Sequence, residues 1–227
     1  MTVTRLGQAG LLFRTSRTAV LIDPYFSDSA FAVSGEHRRT EVPPEFRTLR
    51  PDLLLLTHDH IDHCDPETVR EILLPATDPV TVLCPKSVRE RLQTDLGPAS
   101  KKHNLVLMTP GVVWTEKDVT ATTLTARHSD PYAVGFALEA EGKRIVVTGD
   151  TLFDPDLRIP FSEPDWLFLP VNGRGNNMNG TDAAKLAETL HANKAVPVHY
   201  GMLDDLKPDV FVSPVRTVLD DYVTYEL

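Results

Sequence analysis

Apolar residues along the chain come in short blocks, and most blocks stop at Pro, Gly or Asp. The segments "TAVLIDP" (18–24), "DLLLLTH" (52–58), "VTVLCP" (80–85), "LVLMTP" (105–110), "VTATTLTA" (119–126), "AVGFALEAEGKRIVVTGD" (133–150), "WLFLPV" (166–171) and "KAVPVHY" (194–200) are each continuously apolar or alternating. Blocks of that length bounded by turn formers predict β-strands. Inside the longest, "EAEGKR" predicts a hairpin turn, with Gly142 supplying the permissive backbone.

Helical periodicity is rarer. The segment "DPETVREILL" (65–74) opens with Asp65 as N-cap, Pro66 at the first helical position and Glu67 in the first turn. A second helix is predicted over "PKSVRERLQTDL" (85–96). A third falls on "GTDAAKLAETLHAN" (180–193), with Thr181 as cap and apolar spacing at Ala184, Leu186 and Leu190. The segment "KPDVFVSPVRTVLDDY" (207–222) predicts a short turn, then a helix from Ser213–Pro214 onward. Residues 25–50 predict a long loop, and loops of that length are usually functional or mobile. Strands dominate both halves, and helices recur after polar strand ends. The expectation is an α/β protein of two mostly antiparallel sheets with helices outside. No internal repeat, low-complexity tract or Gly/Ser linker divides the chain, so residues 1–227 are expected to form one domain.

One block breaks the apolar pattern abruptly. In "LLLLTHDHIDHC" (53–64) four leucines run into His58, His60, Asp62 and His63. Side chains repeat with period two in extended backbone, so 58, 60 and 62 would share a side, and a bend would turn His63 inward. Imidazole nitrogens and carboxylate oxygens are ligands for zinc and related divalent ions. So many ionisable groups gathered at a strand end without a metal would cost desolvation and repulsion. Three later blocks end in the same manner, at His128, Asp150 and His199. Residues directly after strands collect at one edge of a scaffold, so these three can complete a shell begun by the first cluster. A closed structural zinc site is disfavoured, because such sites take four ligands rich in Cys. His37, His103 and His191 stand alone and are expected at the surface.

Composition narrows the function further. Lys plus Arg is 23 and Asp plus Glu is 32, a net charge of −9. The basic clusters "HRR" (37–39) and "KKH" (101–103) are short, so a nucleic-acid partner is not expected. No apolar run approaches the roughly 20 residues that cross a bilayer, and the N-terminus lacks the pattern of a signal peptide. Two cysteines, Cys64 and Cys84, make no disulfide framework and are expected to be small buried hydrophobes. A cytoplasmic location follows as the expectation. A homo-oligomer is compatible with everything in the sequence.

The spacing H-x-H-x-D-H at 58–63, then a lone His128, Asp150 in a Gly-Asp context and a last His199, resembles the metallo-β-lactamase superfamily over nearly the whole chain. The resemblance implies a four-layer αββα sandwich with the site at one edge of the two sheets. It implies that His58, His60 and His128 hold one metal ion, that Asp62, His63 and His199 hold a second, and that Asp150 bridges the two. Zinc is the first expectation, and manganese or iron suits the same donors. "LIDPYFSD" (21–28) and "PVNGRGNNMNGTDAAKLAETLHANKAVPVHYGML" (170–203) resemble the branch of L-ascorbate-6-phosphate lactonase-like hydrolases, where an Arg-Gly pair precedes a helix and the last histidine.

The implied activity is hydrolysis by a metal-bound hydroxide, with Asp62 and Asp150 as catalytic residues. The expected substrate is a lactone or other ester of an acidic or phosphorylated small molecule. Arg174 would recognise its anionic group bidentately. Asn172, Asn177 and the neighbouring Asn176 could donate amide hydrogen bonds, and Tyr200 could touch substrate. A Gly/Asn turn is the competing reading of "NGRGNNMNG". A phosphodiesterase or nuclease on the same scaffold is the alternative enzyme. A metal-binding regulatory protein without turnover is the alternative outside enzymology.

Overall fold

A computed structural model describes residues 1–227. The first sheet is built from β1 (Thr2–Arg5), β2 (Leu11–Arg14), β3 (Ala19–Ile22), β4 (Leu53–Leu55), β5 (Thr81–Cys84) and β6 (Asn104–Leu107). The second contains β7 (Val113–Glu116), β8 (Val119–Thr125), β9 (Val134–Ala140), β10 (Lys143–Val147), β11 (Trp166–Pro170) and β12 (Ala195–Val198). A last strand, β13 (Thr224–Glu226), returns to the first sheet, giving the orders β13-β1-β2-β3-β4-β5-β6 and β12-β11-β10-β9-β8-β7. The helices are α1 (Phe31–Ser34), α2 (Pro44–Arg47), α3 (Pro66–Leu73), α4 (Lys86–Leu96) and α5 (Gly180–Thr189).

The leucine run explains the layering. Leu53 and Leu55 point into the space between the sheets, where they meet Phe13, Phe136, Phe168 and Val198. Leu54 and Leu56 point the other way, onto Val69, Ile72 and Leu73 of α3 and Val88 and Leu92 of α4. A strand covered on both faces reads as continuously apolar, which is why no alternation shows at 53–56. The second sheet repeats the device: Ala137, Val146, Leu167 and Leu169 face Ala183, Leu186 and Ala187 of α5. Phe13 and Phe168 meet edge to face across the inner layer, with ring centroids 5.4 Å apart. Helices, sheet, sheet and helix are therefore the four expected layers.

Several expectations are corrected. The sheets are mixed rather than mostly antiparallel. In the first, β3, β4, β5 and β6 pair in parallel. In the second, β10, β11 and β12 do. Three of these pairings enclose a crossover helix, α3, α4 or α5, which returns the chain to the same end, and the long connections 23–52 and 148–165 do so for β3–β4 and β10–β11. The strands β1, β2, β7 and β13 were not anticipated. The helix expected after Ser213 is absent. Val215 O accepts from Ala195 N at 2.8 Å, Thr217 N donates to Ala195 O at 2.8 Å, and Tyr222 N donates to Arg5 O at 2.7 Å. These strand partners take the backbone groups a helix would use. The cap of α5 is Asn179, whose side chain accepts from Thr181 and Asp182, not Thr181. Asp65 caps α3 as expected, accepting from Glu67 and Thr68. His103 is buried, its Nδ1 accepting from Val80 N at 3.3 Å, whereas His37 and His191 are exposed. Cys64 and Cys84 are both buried, and burial pushes the Cys84 thiol up to about 12. Residues 25–50 carry the single turns α1 and α2. Arg38 pins this stretch by donating to the carbonyls of Tyr25 and Thr40 and to the Tyr222 hydroxyl. No helix is long and apolar enough to cross a membrane.

Candidate metal centre

Polar side chains collect where strands of both sheets end. The turn after β1 carries Gln8, the end of β3 carries Asp23, and the segment after β4 carries Thr57 to His63. The second sheet adds His128 after β8, Asp150 after β10, Asn172 after β11 and His199 after β12. The segment after β4 does not stay extended. His63 N and Cys64 N both donate to His60 O, at 3.0 and 2.8 Å, and this turn brings His63 inward. Gly149 lets the two sheets touch here. It has φ +62°, and a Cβ on it would lie 2.8 Å from Val134 O and 3.0 Å from Thr57 Cβ. Only glycine passes between these groups and still delivers Asp150.

The structure brings all seven candidate ligands together. Three overlapping groups form: His58, His60 and His128; His58, His63 and Asp150; Asp62, His63 and His199. Within each, one ligand atom per residue lies within 4.8 Å of the others. Asp150 sits in the middle, with Oδ1 3.4 Å from His63 Nε2 and Oδ2 3.1 Å from His199 Nε2. His128 Nε2 is 3.1 Å from His60 Nδ1.

Supporting groups fix the ring orientations. Asp23 is buried and adopts φ +41°, a strained setting for a non-glycine residue. Its carboxylate accepts from Thr57 N at 2.8 Å, from Thr57 Oγ1 at 2.5 Å and lies 2.8 Å from His63 Nδ1. A carboxylate at Nδ1 places the proton there and leaves Nε2 facing the centre. Gln8 Nε2 donates to Asp62 Oδ2 at 2.7 Å, and Asn172 Nδ2 is 3.0 Å from His199 Nδ1. Gln8, Asp23 and Thr57 carried no recognisable motif of their own. Asp23 lay in the quoted "LIDP", but nothing in that string disclosed its partner.

The expected substrate contacts separate in the structure. Asn177 is buried and its Nδ2 donates to Asp150 Oδ2 at 2.7 Å, so its amide holds a carboxylate of the centre instead of facing outward. Tyr200 points into the core behind α5, and the Arg5 guanidinium lies 4.2 Å above its ring. Asn172 is half-buried against His199. Arg174 is exposed on a turn with Gly173, Gly175 and Asn176 in left-handed backbone. It borders a cavity of about 370 Å³ together with Asn172, Glu36, Arg39, Leu203 and Asp205. Arg39 there is paired with Glu36 and Asp205, while the Arg174 guanidinium has no partner in the chain.

A divalent ion fits this donor set. His58 Nε2 and His63 Nε2 are buried with no hydrogen-bond partner, although buried polar atoms are normally satisfied. Both belong to the group completed by Asp150. In the metal-free protein the charges sort accordingly. Burial opposes charge on His63 and His199, but the surrounding carboxylates outweigh it. Asp150, Asp62 and Asp23 hold His63 well above the usual imidazole range, and Asp150 and Asp62 raise His199 to about 10. Burial would raise Asp62 and Asp150, yet His63 and His199 hold both well below the carboxylate range. Burial and the neighbouring His63 keep His58 neutral, well below the usual range.

Comparison with known proteins agrees with this architecture. Residues 18–200 match the family model described as a beta-lactamase superfamily domain. A UPF0173 metal-dependent hydrolase of Exiguobacterium sp. is 30% identical over 222 residues, covering 92% of this chain and 90% of that protein. One from Oenococcus oeni is 27% identical over 231 residues, covering 96% and 94%. Among solved structures, a possible metal-dependent hydrolase from Veillonella parvula matches with a TM-score of 0.75 at 16% identity, over 100% of this chain and 99% of that one. The metallo-beta-lactamase fold protein YhfI from Bacillus subtilis matches at 0.73 with 18% identity, over 99% of each chain. The match spans both sheets and every strand end that supplies the histidine–aspartate edge, and the chain belongs to the metallo-β-lactamase superfamily.

Proposed function

We propose that this protein is a metal-dependent hydrolase acting on a lactone or other ester of an acidic or phosphorylated small molecule. The observation that carries the reading is the pair of orphaned imidazole nitrogens, His58 Nε2 and His63 Nε2, turned toward Asp150. Relatives that cover almost the whole chain are named metal-dependent hydrolases, which supports the same reaction class. His58, His60 and His128 would hold one divalent ion, Asp62, His63 and His199 a second, and Asp150 stands between them. Bound there, such ions supply Lewis acidity toward a carbonyl or phosphoryl oxygen and lower the pKa of water.

The chain's own groups do the rest. Asp62 is fixed through Oδ2 by Gln8, which leaves Oδ1 to accept a hydrogen bond from the attacking water and orient it. Asn177 donates to Asp150 Oδ2, so this carboxylate keeps its direction. Arg174, unpaired on the cavity rim beside Asn172, binds the anionic group of the substrate. This placement also favours the lactonase-like branch over a nuclease, since one free cation suits a small anion better than a polyanion.

The test is metal content followed by a panel of lactones, esters and phosphodiesters. The reading expects bound zinc, manganese or iron, activity abolished by a chelator, and turnover on the lactone or ester arm. Turnover of phosphodiesters alone assigns a phosphodiesterase. Full metal content with no turnover assigns a metal-binding regulatory protein. Undiminished turnover in Asp150→Ala refutes the bridging role.

A further inference from the structure

Between His58 and His60 lies Asp59, whose side chain points away from the centre toward α4. Its N–H, its carbonyl and one carboxylate oxygen are engaged. Its N–H donates to Asp130 Oδ2 at 3.1 Å. Its carbonyl accepts from Arg91 Nη1 at 3.0 Å, and its Oδ1 accepts from the same nitrogen at 2.7 Å. Asp130 in turn accepts from Ser87 Oγ at 2.6 Å and from Tyr132 N at 2.8 Å. Ser87 and Arg91 lie one turn apart on α4, and Asp130 follows His128 by two residues. Ser129, between them, places its Oγ 3.3 Å from His60 Nε2.

One polar knot therefore ties the segment carrying His58 and His60 to the segment carrying His128, and anchors both to α4. None of its members contacts the other half of the centre. There the supports are Gln8 on Asp62, Asp23 on His63 and Asn172 on His199.

We propose that Asp130, Ser87 and Arg91 are positioning residues for the His58–His60–His128 metal site, a support separate from the Asp23–Thr57 pair, which reaches His58 and His63 together. The proposal rests on the reading that these histidines hold a metal ion. Asp130 suits the task because a carboxylate only accepts, and three donors converge on it. Asp130→Ala leaves all three donors without that acceptor. The Asp59 peptide then turns, and with it the rings on either side.

The experiment titrates the metal-free full-length protein with zinc chloride. Calorimetry gives the affinities, and ¹H–¹⁵N spectra of the imidazoles show which histidines shift, with His→Gln variants assigning them. In the unaltered protein, zinc must shift both sets of histidines; failure here overturns the metal-centre reading itself. In Asp130→Ala and in Arg91→Ala, zinc affinity at the His58–His60–His128 set should fall roughly 10–100-fold, the usual effect of losing a group that supports metal ligands. The His63 and His199 signals should respond at the original zinc concentration. Arg91→Lys should restore most of the loss, since one ammonium can serve both Asp59 oxygens. Folding is checked by circular dichroism, and if Asp130→Ala unfolds, the two Arg91 variants decide. Equal weakening of both sets in a folded variant, or unchanged affinity at the first set, overturns the proposal.

Discussion

Replacing Asp23 by Asn tests how the centre is oriented. The buried carboxylate serves two donors through Oδ2, the Thr57 hydroxyl and His63 Nδ1, and one through Oδ1, the Thr57 N–H. An Asn amide has two placements. With its NH₂ at the Oδ1 position it confronts the Thr57 N–H, donor against donor, which costs about 1–3 kcal/mol for a buried unsatisfied group. With its NH₂ at the Oδ2 position the Thr57 hydroxyl can rotate to accept, and His63 can accept if its proton moves to Nε2. The second placement costs less, so the substitution converts His63 to the tautomer whose Nε2 carries hydrogen toward the centre. A protonated nitrogen cannot ligate. Loss of the Asp23 charge also eases deprotonation of His63, which favours metal. That effect is the smaller, because Asp150 and Asp62 stay beside the ring in the variant. Zinc affinity at the half containing His63 should therefore fall roughly 10–100-fold, about 1.4–2.8 kcal/mol, with the fold retained. Calorimetric titration at constant pH measures the affinity, and ¹⁵N shifts of His63 in the metal-free variant, taken at a pH high enough to remove its second proton, report the tautomer. Unchanged affinity together with an Nε2-protonated ring would refute the reasoning. Asp23→Ala strands all three donors and should instead cost roughly 3 kcal/mol or more of stability, read from a denaturant midpoint.

Three further outcomes are expected. At pH 8 an ordinary imidazole, with pKa near 6.5, is mostly neutral, whereas His199 at about 10 and the similarly raised His63 retain a second proton in the metal-free protein; their ¹⁵N shifts should be those of imidazolium, His199 losing it only as pH rises through about 10, and zinc should displace both protons. Arg174→Ala should raise KM for anionic substrates by roughly tenfold or more while leaving neutral analogues unchanged, since the charge-assisted contact is worth about 1.5–3 kcal/mol; equal effects on both classes would reject charge recognition. Gly180→Ala places a Cβ 1.9 Å from Val210 O and 2.5 Å from Val210 C, and because backbone must move, a loss of about 1–3 kcal/mol is expected from the shift in denaturation midpoint; a change within about 0.5 kcal/mol would mean that the 208–211 segment yields freely.

The readable parts of the sequence share a physical property: their signals are local. Asp65, Pro66 and Glu67 announce a helix start within three residues, because the donors they satisfy belong to that same turn. Gly142 announces a hairpin, because the turn needs left-handed backbone there. The segment 213–222 shows the limit. Its Val215, Val218 and Leu219 have helical spacing, yet its backbone pairs with Ala195 and Arg5. Those partners are remote in sequence, so no window of the chain contains the competition that the helix loses. The strand β13 escaped for the same reason, since its partner β1 lies at the other end of the chain.

The sequence by itself determined the donor set. His58, His60, Asp62, His63, His128, Asp150 and His199 are recognisable because each follows a strand, and strand ends of one sandwich edge converge. What only the tertiary structure decided is what each remaining polar residue faces. Asn177 reads as a loop amide until its side chain is seen on Asp150. Tyr200, adjacent to His199, reads as a neighbour of the site until its ring is found behind α5 under Arg5. His199 has φ +60°, so the chain turns sharply there and consecutive side chains diverge. Gln8 and Asp23 reach the centre from the first sheet, across the layer where the two sheets meet. Side-chain direction at a strand end depends on the turn that follows and on the groups waiting opposite, and those groups come from other strands.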